Sequence, residues 1–293
     1  MGCYNQYYAR TKVKAEIVPI PCGKCIGCRL EKARQWAVRC VHEAQMYNQN
    51  CFITLTYNNK NLPKDRNIEK RALQLFFKKL RKHINTQEIR YYACGEYGDK
   101  MGRPHYHACI FNYDFPDKKL LHGAQRRFNK GYFQQTNDHD LFTSATLDKI
   151  WAKGYATIGE LTFQSAGYVA RYVTKKITGE KAKNHYLGRT PEFALMSRGN
   201  KKNGKGGIGK PWLLKYFTDV YPKDFFTING VKNKPPRYYD DLLKKIDPDL
   251  LVKLKIERAK RAKETEIIRL KQKENHKILT AKQLQRNLEH GTS

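Results

Sequence analysis

The sequence contains no apolar run that approaches the ~20 residues needed to span a membrane as a helix. Its first residues, MGCYNQYYAR, also lack the apolar segment of a secretory signal peptide. These two absences exclude a protein with helical membrane spans and predict a soluble, intracellular protein.

Acidic residues are scarce as well. Only 27 Asp and Glu accompany 57 Lys and Arg, so the formal net charge is +30, and the basic excess is spread along the chain. A polyanion is the expected partner. Ribosomal, histone-like and membrane-surface proteins share such charge, but aromatic residues make up 12% of this chain, with 19 tyrosines. Rings among basic residues suit stacking on unpaired bases better than coating a duplex, which favours single-stranded nucleic acid.

A phosphate-binding loop is nearly present but incomplete. Residues 204–210 read GKGGIGK, yet the next residue is Pro211, where such a loop needs a hydroxyl to hold magnesium. The preceding SRGNKKN is also a poor strand. We therefore expect no ATP binding and interpret the segment as a flexible basic loop near DNA.

The chain has eight cysteines, which we expect to remain reduced without a secretory signal. Cys22, Cys25 and Cys28 form C-x2-C-x2-C, with Cys40, or alternatively Cys3, as a fourth thiol. The set predicts a tetrahedral zinc site in which Cys40 is the preferred fourth ligand, and free thiols are the main alternative. An iron–sulfur cluster would more often show a fourth cysteine close by with a proline after it.

The hydrophobic pattern predicts an α+β fold with an antiparallel central sheet and flanking helices. The expected helices cover residues 30–47, 67–84, 144–151 and 164–177, and the expected strands cover residues 51–57, 89–96, 105–113 and a segment from 155. We divide the chain into a cysteine-rich segment (1–50), a catalytic core (51–197), a basic Gly/Lys-rich loop and helix (198–237) and a basic helical C-terminal extension (238–293).

Two histidines flank a tyrosine in GRPHYHACIF. Because side chains alternate across a strand, His105 and His107 project from one face while Tyr106 turns inward. Glu96 lies on the preceding strand, across the expected hairpin, where its carboxylate can reach the same face. Two imidazoles and a carboxylate leave coordination positions open for a phosphate oxygen. The alternatives are surface histidines and a cross-strand ion pair of Glu96 with a nearby cation.

Two tyrosines lie four residues apart in GYVARYVTKK. On a helix, Tyr168 and Tyr172 share one face, and Arg171 and Lys175 each follow a tyrosine by three residues. A phenol with a cation beside it can attack a phosphate and later leave again. A core-facing aromatic pair is the alternative.

The segments FITLTY, GEYGDKMGRPHYHACIF and YVARYVTKK occur in the order of the three motifs of HUH endonucleases. With PCGKCIGCRLEKARQWAVRC before them, the chain resembles the replication initiators of the microviruses, particularly the gokushovirus branch, over roughly residues 20 to 180. The resemblance implies an RRM-like HUH fold, His105 and His107 as metal ligands, Tyr168 and Tyr172 as nucleophiles, and Thr54, Thr56 and Tyr57 in the sheet beneath the site. Glu96 is assigned mainly from hairpin geometry, because the third ligand varies in such enzymes.

The same resemblance implies rolling-circle replication by nicking and joining of single-stranded phage origin DNA, with Mg²⁺ or Mn²⁺ at the site, in the cytoplasm of the bacterial host. Host helicase and DNA polymerase are the expected partners. The alternatives are an HUH relaxase or transposase and a non-catalytic zinc-containing single-stranded DNA-binding protein. The residues expected to contact DNA are basic: Arg103, Arg171, Lys176, Lys205 and Lys210.

Overall fold

The computed structural model describes residues 3–10, 17–85, 88–98, 102–121, 140–175, 180–199, 206–261 and 267–289. For some helix and strand residues, Tyr172 and Lys175 among them, it describes the backbone alone. The chain forms two compact units, one made of Met1–Gln35 with Asp240–Ser293 and one made of Trp36–Tyr239. The four segments expected from the sequence follow chain order, whereas these units group the two ends of the chain together.

The described strands, in chain order, are β1 Tyr7–Arg10, β2 Ile17–Ile20, β3 Asn50–Tyr57, β4 Arg90–Tyr97, β5 Pro104–Phe111, β6 Lys119–Leu120, β7 Phe142–Thr143, β8 Gly154–Gly159, β9 Phe193–Met196, β10 Phe226–Ile228 and β11 Val231–Asn233. The described helices are α1 Ile26–Ala44, α2 Lys70–Ile84, α3 Ala145–Trp151, α4 Phe163–Lys175, α5 Glu180–Tyr186, α6 Lys210–Lys215, α7 Phe217–Val220, α8 Arg237–Ile246, α9 Pro248–Lys260 and α10 Ile267–Glu289. Among the described helices, none has both the length and the apolar character needed to cross a membrane.

The unit Trp36–Tyr239 contains a seven-stranded sheet in the order β6-β7-β8-β3-β5-β4-β9, and each neighbouring pair is antiparallel. The predicted α+β class with an antiparallel central sheet is confirmed. The two predicted strands around the hairpin become β4 and β5, paired as expected.

One face of this sheet is apolar and packs against α2 and α3. Along β3 the buried residues alternate with half-buried ones, which is the period of two that a strand with one buried face requires. The buried side chains of this face and of the two helices form the main core, which includes Ile53, Leu55, Tyr57, Phe76, Tyr106 and Trp151. The opposite face of the same strands is therefore available for polar groups.

Helix α3 begins as its sequence predicts. The hydroxyl of Ser144 accepts a hydrogen bond from the backbone N–H of Leu147 at 3.1 Å, so Ser144 caps the helix. Trp151 at the other end donates its indole N–H to the carbonyl of Thr56 at 3.0 Å. The bond from Trp151 fixes α3 against β3 on the apolar face.

The described end of the glycine-rich segment is held by a buried ion pair. Glu43 and Arg90 lie 2.5 Å apart, and both are almost fully buried. Glu43 also accepts from the backbone N–H of Gly209 at 2.6 Å, and Arg90 donates to the carbonyl of Gly206 at 2.8 Å. Residues 206–209 are therefore tied to the unit, in contrast to the flexible loop expected, and the Gly209 amide is engaged by a carboxylate.

The unit formed by the two chain ends combines a small hairpin with C-terminal helices. Strands β1 and β2 pair antiparallel, with Tyr7 opposite Ile20. Helices α8 and α9 are joined by an ion pair of Asp240 with Arg258, at 2.6 and 3.0 Å. The helical composition of the C-terminal extension is thus reflected in α8, α9 and α10.

Candidate metal and nucleophile site

The face of the sheet opposite the main core carries the predicted histidines. Strand β5 lies between β3 and β4, and His105 is directly opposite Thr56 on one side and Glu96 on the other. His107 is opposite Thr54 on β3. Directly opposite residues of antiparallel strands point to the same face. The register therefore brings both imidazoles and the carboxylate together, as the spacing predicts.

The three side chains converge on one oxygen atom. Glu96 Oε1 lies 2.8 Å from His105 Nε2 and 2.9 Å from His107 Nε2. Glu96 and His107 are almost fully buried, at 1% and 5% exposure, whereas the side chain of His105 is 17% exposed. The cluster is therefore open to solvent on the side of His105.

The second nitrogen of each imidazole faces an oxygen. His105 Nδ1 lies 3.1 Å from the carbonyl of Arg103, and His107 Nδ1 lies 2.9 Å from the hydroxyl of Thr54. A carbonyl can only accept, so Nδ1 of His105 donates to it, which leaves Nε2 as the nitrogen that faces Glu96. Oxygen partners of this kind orient metal-binding histidines.

The electrostatics of Glu96 favour its charged form. Burial by itself would raise the pKa of Glu96, but hydrogen bonds and charge from His105 and His107 outweigh it, and the pKa is lowered below its ordinary value. The carboxylate is thus ionised at neutral pH, as ligation requires.

The donor set fits a small divalent cation. The candidate ligand atoms of Glu96, His105 and His107 all lie within 4.8 Å of one another. Ligands held ~2.1 Å from one ion at right angles are about 3 Å apart. The distances of 2.8 and 2.9 Å from Glu96 Oε1 to the two Nε2 atoms agree with this spacing. Two nitrogens and one oxygen suit manganese or another transition metal, while the single carboxylate is compatible with magnesium.

Helix α4 packs against β4 and β5 and brings one tyrosine to this cluster. The ring of Tyr168 lies edge-on to His107, with centroids 5.1 Å apart, and edge-on to Phe52 at 6.4 Å. Phe52 in turn stacks on His107 at 5.7 Å. Phe52 was not expected in the site, although its spacing from Thr54 along β3 places it on the same face.

The second tyrosine continues the same helix. The backbone of α4 places Tyr172 one turn beyond Tyr168 and ends at Lys175, while the side chains of Tyr172 and Lys175 lie outside the described part. Arg171 is exposed on this helix. The roles of Tyr168, Tyr172 and Lys175 as nucleophiles and their cation remain predictions.

Arg103 lies beside the cluster and has a structural role of its own. Its guanidinium donates to the carbonyl of Tyr57 at 3.2 and 2.8 Å and to the side-chain oxygen of Asn59 at 2.9 Å. With Asn59, Leu62 and Arg66 it lines a cleft of about 330 Å³. Of the other residues expected to contact DNA, Lys210 is half-buried at the start of α6, and Lys176 and Lys205 lie outside the described residues.

A second cluster, of four thiols, lies in the other unit. It consists of Cys3, Cys22, Cys25 and Cys28. Backbone N–H groups donate to its sulfurs. The N–H of Cys22 donates to Sγ of Cys3 at 3.1 Å, and the N–H of Cys25 donates to Sγ of Cys22 at 3.3 Å. Burial opposes ionisation of Cys22, but hydrogen bonds from the backbone of Cys25 and Lys24 outweigh it and lower the pKa of Cys22 to about 7. The sulfurs of Cys3 and Cys25 are 3.8 Å apart, and a tetrahedron with zinc–sulfur bonds of 2.3 Å has edges of about 3.8 Å.

Cys3 therefore takes the place expected for Cys40. Cys40 is twelve residues beyond Cys28 on α1, which at the helical rise is about 18 Å away. It is fully buried in the unit Trp36–Tyr239, where it lies beside Cys109. The preference for Cys40 as fourth thiol is corrected to the alternative, Cys3.

The model of a family described as "Replication-associated protein ORF2/G2P" matches residues 50–177, the stretch that contains β3 to β8, the Glu96 cluster and α4. The stretch that carries the sheet and the candidate site thus matches a class of replication-associated proteins. No solved structure matches the chain significantly.

Phage proteins are similar over most of the chain. It is 34% identical to "Replication-associated protein VP4" of Bdellovibrio phage phiMH2K, over 83% of this chain and 73% of that protein. It is 36% identical to "Replication-associated protein ORF2" of Spiroplasma virus 4, over 75% and 66%, and 29% identical to "Replication-associated protein ORF4" of Chlamydia phage 1, over 80% and 56%. The chain belongs to this family of phage replication-associated proteins.

Proposed function

We propose that the protein is a rolling-circle replication initiator that nicks and rejoins single-stranded phage origin DNA through a 5′-phosphotyrosine. The observation that carries the proposal is the convergence of Glu96, His105 and His107 on one oxygen, with Tyr168 packed edge-on against His107. Membership of a replication-associated family supports a role at the origin.

The reaction is a transesterification. A tyrosine oxygen forms a bond to the phosphorus of a DNA phosphodiester, the bond from phosphorus to the 3′ oxygen breaks, the phenol loses its proton and the 3′ oxygen gains one. The products are a 5′-phosphotyrosine and a free 3′-hydroxyl that primes synthesis. The ester keeps the energy of the phosphodiester, so joining requires no ATP.

The three-residue cluster would hold a divalent cation, Mg²⁺ or Mn²⁺, through one carboxylate and two imidazoles. When bound, such an ion polarises a phosphate oxygen and stabilises the charge that develops during attack. The chain's own part is to orient the ligands, through Thr54 and the Arg103 carbonyl, and to present the tyrosines from α4.

The two tyrosines have different neighbours along α4. Tyr172 precedes Lys175 by three residues, and on this sequence spacing we assign Tyr172 the first attack. Tyr168, followed by Arg171, would carry out the transfer that closes the circle. We assign Lys175 to stabilising the phenolate or the phosphate.

Contacts to the DNA backbone are assigned to basic side chains: Arg103, Arg171, Lys176, Lys205 and Lys210. The four thiols Cys3, Cys22, Cys25 and Cys28 are assigned to a structural zinc ion that ties the N-terminal segment to α1. Host helicase and polymerase would act on the nicked strand in the bacterial cytoplasm.

Denaturing electrophoresis after incubation with labelled origin DNA and Mn²⁺ tests this function. We expect a covalent adduct with the wild-type protein and none with His105→Ala or His107→Ala, while both variants keep most of their DNA affinity, because affinity comes from distributed cations. His83→Ala, an exposed histidine of α2, is the control and should nick normally.

Equal loss of binding and nicking in the two site variants would contradict the assignment. Binding without any adduct in the wild type would favour a non-catalytic single-stranded DNA-binding protein, and a preference for a transfer origin would favour a relaxase.

A further inference from the structure

We infer that Tyr155 is a stacking platform for an unpaired base that flanks the cleaved phosphate. The inference rests on the proposed function in one respect, that the ligand is single-stranded DNA lying across the candidate site. It adds a binding residue on a strand where neither the motifs nor the family resemblance assign one.

Strand pairing places Tyr155 in line with the ligand cluster. Tyr155 on β8 is directly opposite Thr56, Thr56 is directly opposite His105, and His105 is directly opposite Glu96. This row crosses four adjacent strands, and its members point to one face. Neighbouring strands are ~4.8 Å apart, so the Cα atom of Tyr155 lies about 10 Å from that of His105, two strand spacings away.

Burial along β8 confirms the direction of the side chain. Ala156 and Ile158 are buried in the main core on the other face, whereas Tyr155 is 72% exposed. Within the described part of the chain, neither the ring nor the hydroxyl of Tyr155 has a partner. A large planar ring thus stands open beside the Glu96 cluster.

The backbone at this point is fixed closely to β3. A Cβ atom on Gly154 would lie 2.2 Å from the carbonyl oxygen of Thr56 and 2.3 Å from the backbone nitrogen of Asn58, so this position admits only glycine. The close approach of the two strands fixes the backbone of the next residue, Tyr155, relative to Thr56 and His105. A stacking surface needs such a fixed backbone in order to set the position of a base relative to the tyrosines of α4.

The chemistry of the ligand follows from the surroundings. Single exposed apolar residues are common on protein surfaces and need no function. An exposed aromatic residue on an open sheet face, in a chain of charge +30, is however the combination by which proteins hold unpaired bases without reading their sequence. The platform would therefore hold a base by its π-face and accept any of the four bases.

The test measures binding to single-stranded oligonucleotides without added Mg²⁺ or Mn²⁺, so that cleavage does not interfere. One probe carries the nick site mapped in the electrophoresis experiment, with an abasic site moved along it one position at a time, and a second probe is oligo-dT. We compare Tyr155→Ala, Tyr155→Leu and Tyr155→Phe with the wild type, and Tyr8→Ala, another exposed tyrosine, is the matched control.

We expect Tyr155→Ala and Tyr155→Leu to weaken binding to both probes by roughly 5- to 150-fold, the range for one base on one ring, and Tyr155→Phe to bind normally. One abasic position near the nick should weaken binding of the wild type as much as the Tyr155→Ala substitution does on the intact probe. The same abasic position should weaken binding of Tyr155→Ala little further. Tyr8→Ala should show no such coupling.

Unchanged binding of Tyr155→Ala, equal effects of Phe and Ala, or coupling in Tyr8→Ala would overturn the inference. A failure of the proposed function would look different. The wild type would then form no covalent adduct, but the effects of the Tyr155 variants on oligo-dT binding would remain. Thermal unfolding of each variant checks that the fold is intact.

Discussion

Each imidazole of the candidate site is held from both sides. Nε2 faces Glu96, and the opposite nitrogen faces an oxygen of the backbone or of Thr54. Of these partners, the Thr54 hydroxyl is the one that a side-chain substitution can remove without disturbing a ligand. Thr54 is thus a positioning residue for His107.

Thr54→Val should lower the affinity for Mn²⁺ by roughly 10- to 100-fold, as loss of an outer partner of a metal-binding histidine typically does. The reason is that Val keeps the shape of the side chain and removes only the hydroxyl bonded to Nδ1. Metal titration followed by calorimetry measures the effect.

Thr56→Val is the matched control, because Thr56 lies on the same face and strand but is held through its backbone carbonyl by Trp151. Equal losses in the two variants, or none in either, would count against the positioning role. Thr54→Ser should bind Mn²⁺ about as well as the wild type, because serine keeps the hydroxyl.

In the proposed mechanism the two tyrosines of α4 form a relay in which each would take the DNA end in turn. Tyr172→Phe should suppress the first covalent adduct more strongly than Tyr168→Phe, because Lys175 follows Tyr172 by three residues, and the double variant should form no adduct. Both single variants should fail to release closed circles repeatedly. Single-turnover adduct formation and multi-round circle assays measure the two steps.

Full multi-round circle production by Tyr168→Phe would show that the relay is wrong. Tyr168 would then be a packed aromatic residue, a role that its contacts with His107 and Phe52 also allow.

At the level of elements, the β1–β2 hairpin determines the composition of the thiol cluster. Its pairing, with Tyr7 opposite Ile20, returns the start of the chain toward the segment that contains Cys22 and Cys25, and so delivers Cys3. Cys28 lies in the first turn of α1, whereas Cys40 lies near the other end of the same helix.

Purified protein should therefore contain about one zinc ion per chain. The Cys3→Ser variant should lose this zinc, and the Cys40→Ser variant should retain it. The four thiolates bind the ion jointly, so three of them would bind it far more weakly. Elemental analysis of the two variants decides between them. Zinc retained in both would refute the cluster, and iron with visible absorbance would indicate an iron–sulfur cluster.

The elements that could be predicted are those with a local signal. Period-two alternation in PHYHACIF placed His105 and His107 on one face, and the glycines before it indicated the hairpin that brings Glu96 opposite. Helical spacing likewise placed Tyr168 and Tyr172 on one helix. Each of these depends on residues that are close in sequence.

The features that were missed depend on distant pairing. Strand β9 has only four residues, and it is a strand because it pairs with β4 about a hundred residues earlier. Phe52 joins the site because α4 covers it. Cys3, which the sequence offered only as the alternative to Cys40, joins the thiols because the hairpin returns it. The hydrophobic pattern along one segment cannot predict contacts with residues that are distant in sequence.

At the level of the whole molecule, the charge of +30 should dominate the affinity for DNA. Single strands release counterions with a slope of about −0.7 per phosphate neutralised, so contacts with about six phosphates would weaken binding roughly 300-fold between about 50 and 200 mM salt. Fluorescence anisotropy with an oligonucleotide across this range measures the slope. An affinity that does not change with salt would refute the electrostatic account.

The row formed by Tyr155, Thr56, His105 and Glu96 takes one residue from each of four strands. A slip of a single residue in any of these pairings turns that strand's side chain to the opposite face. A copy of the chain that has not finished folding, or has folded out of register, therefore lacks the assembled candidate site. The proposed nicking activity would thus be absent from the chain until its sheet has paired in the correct register.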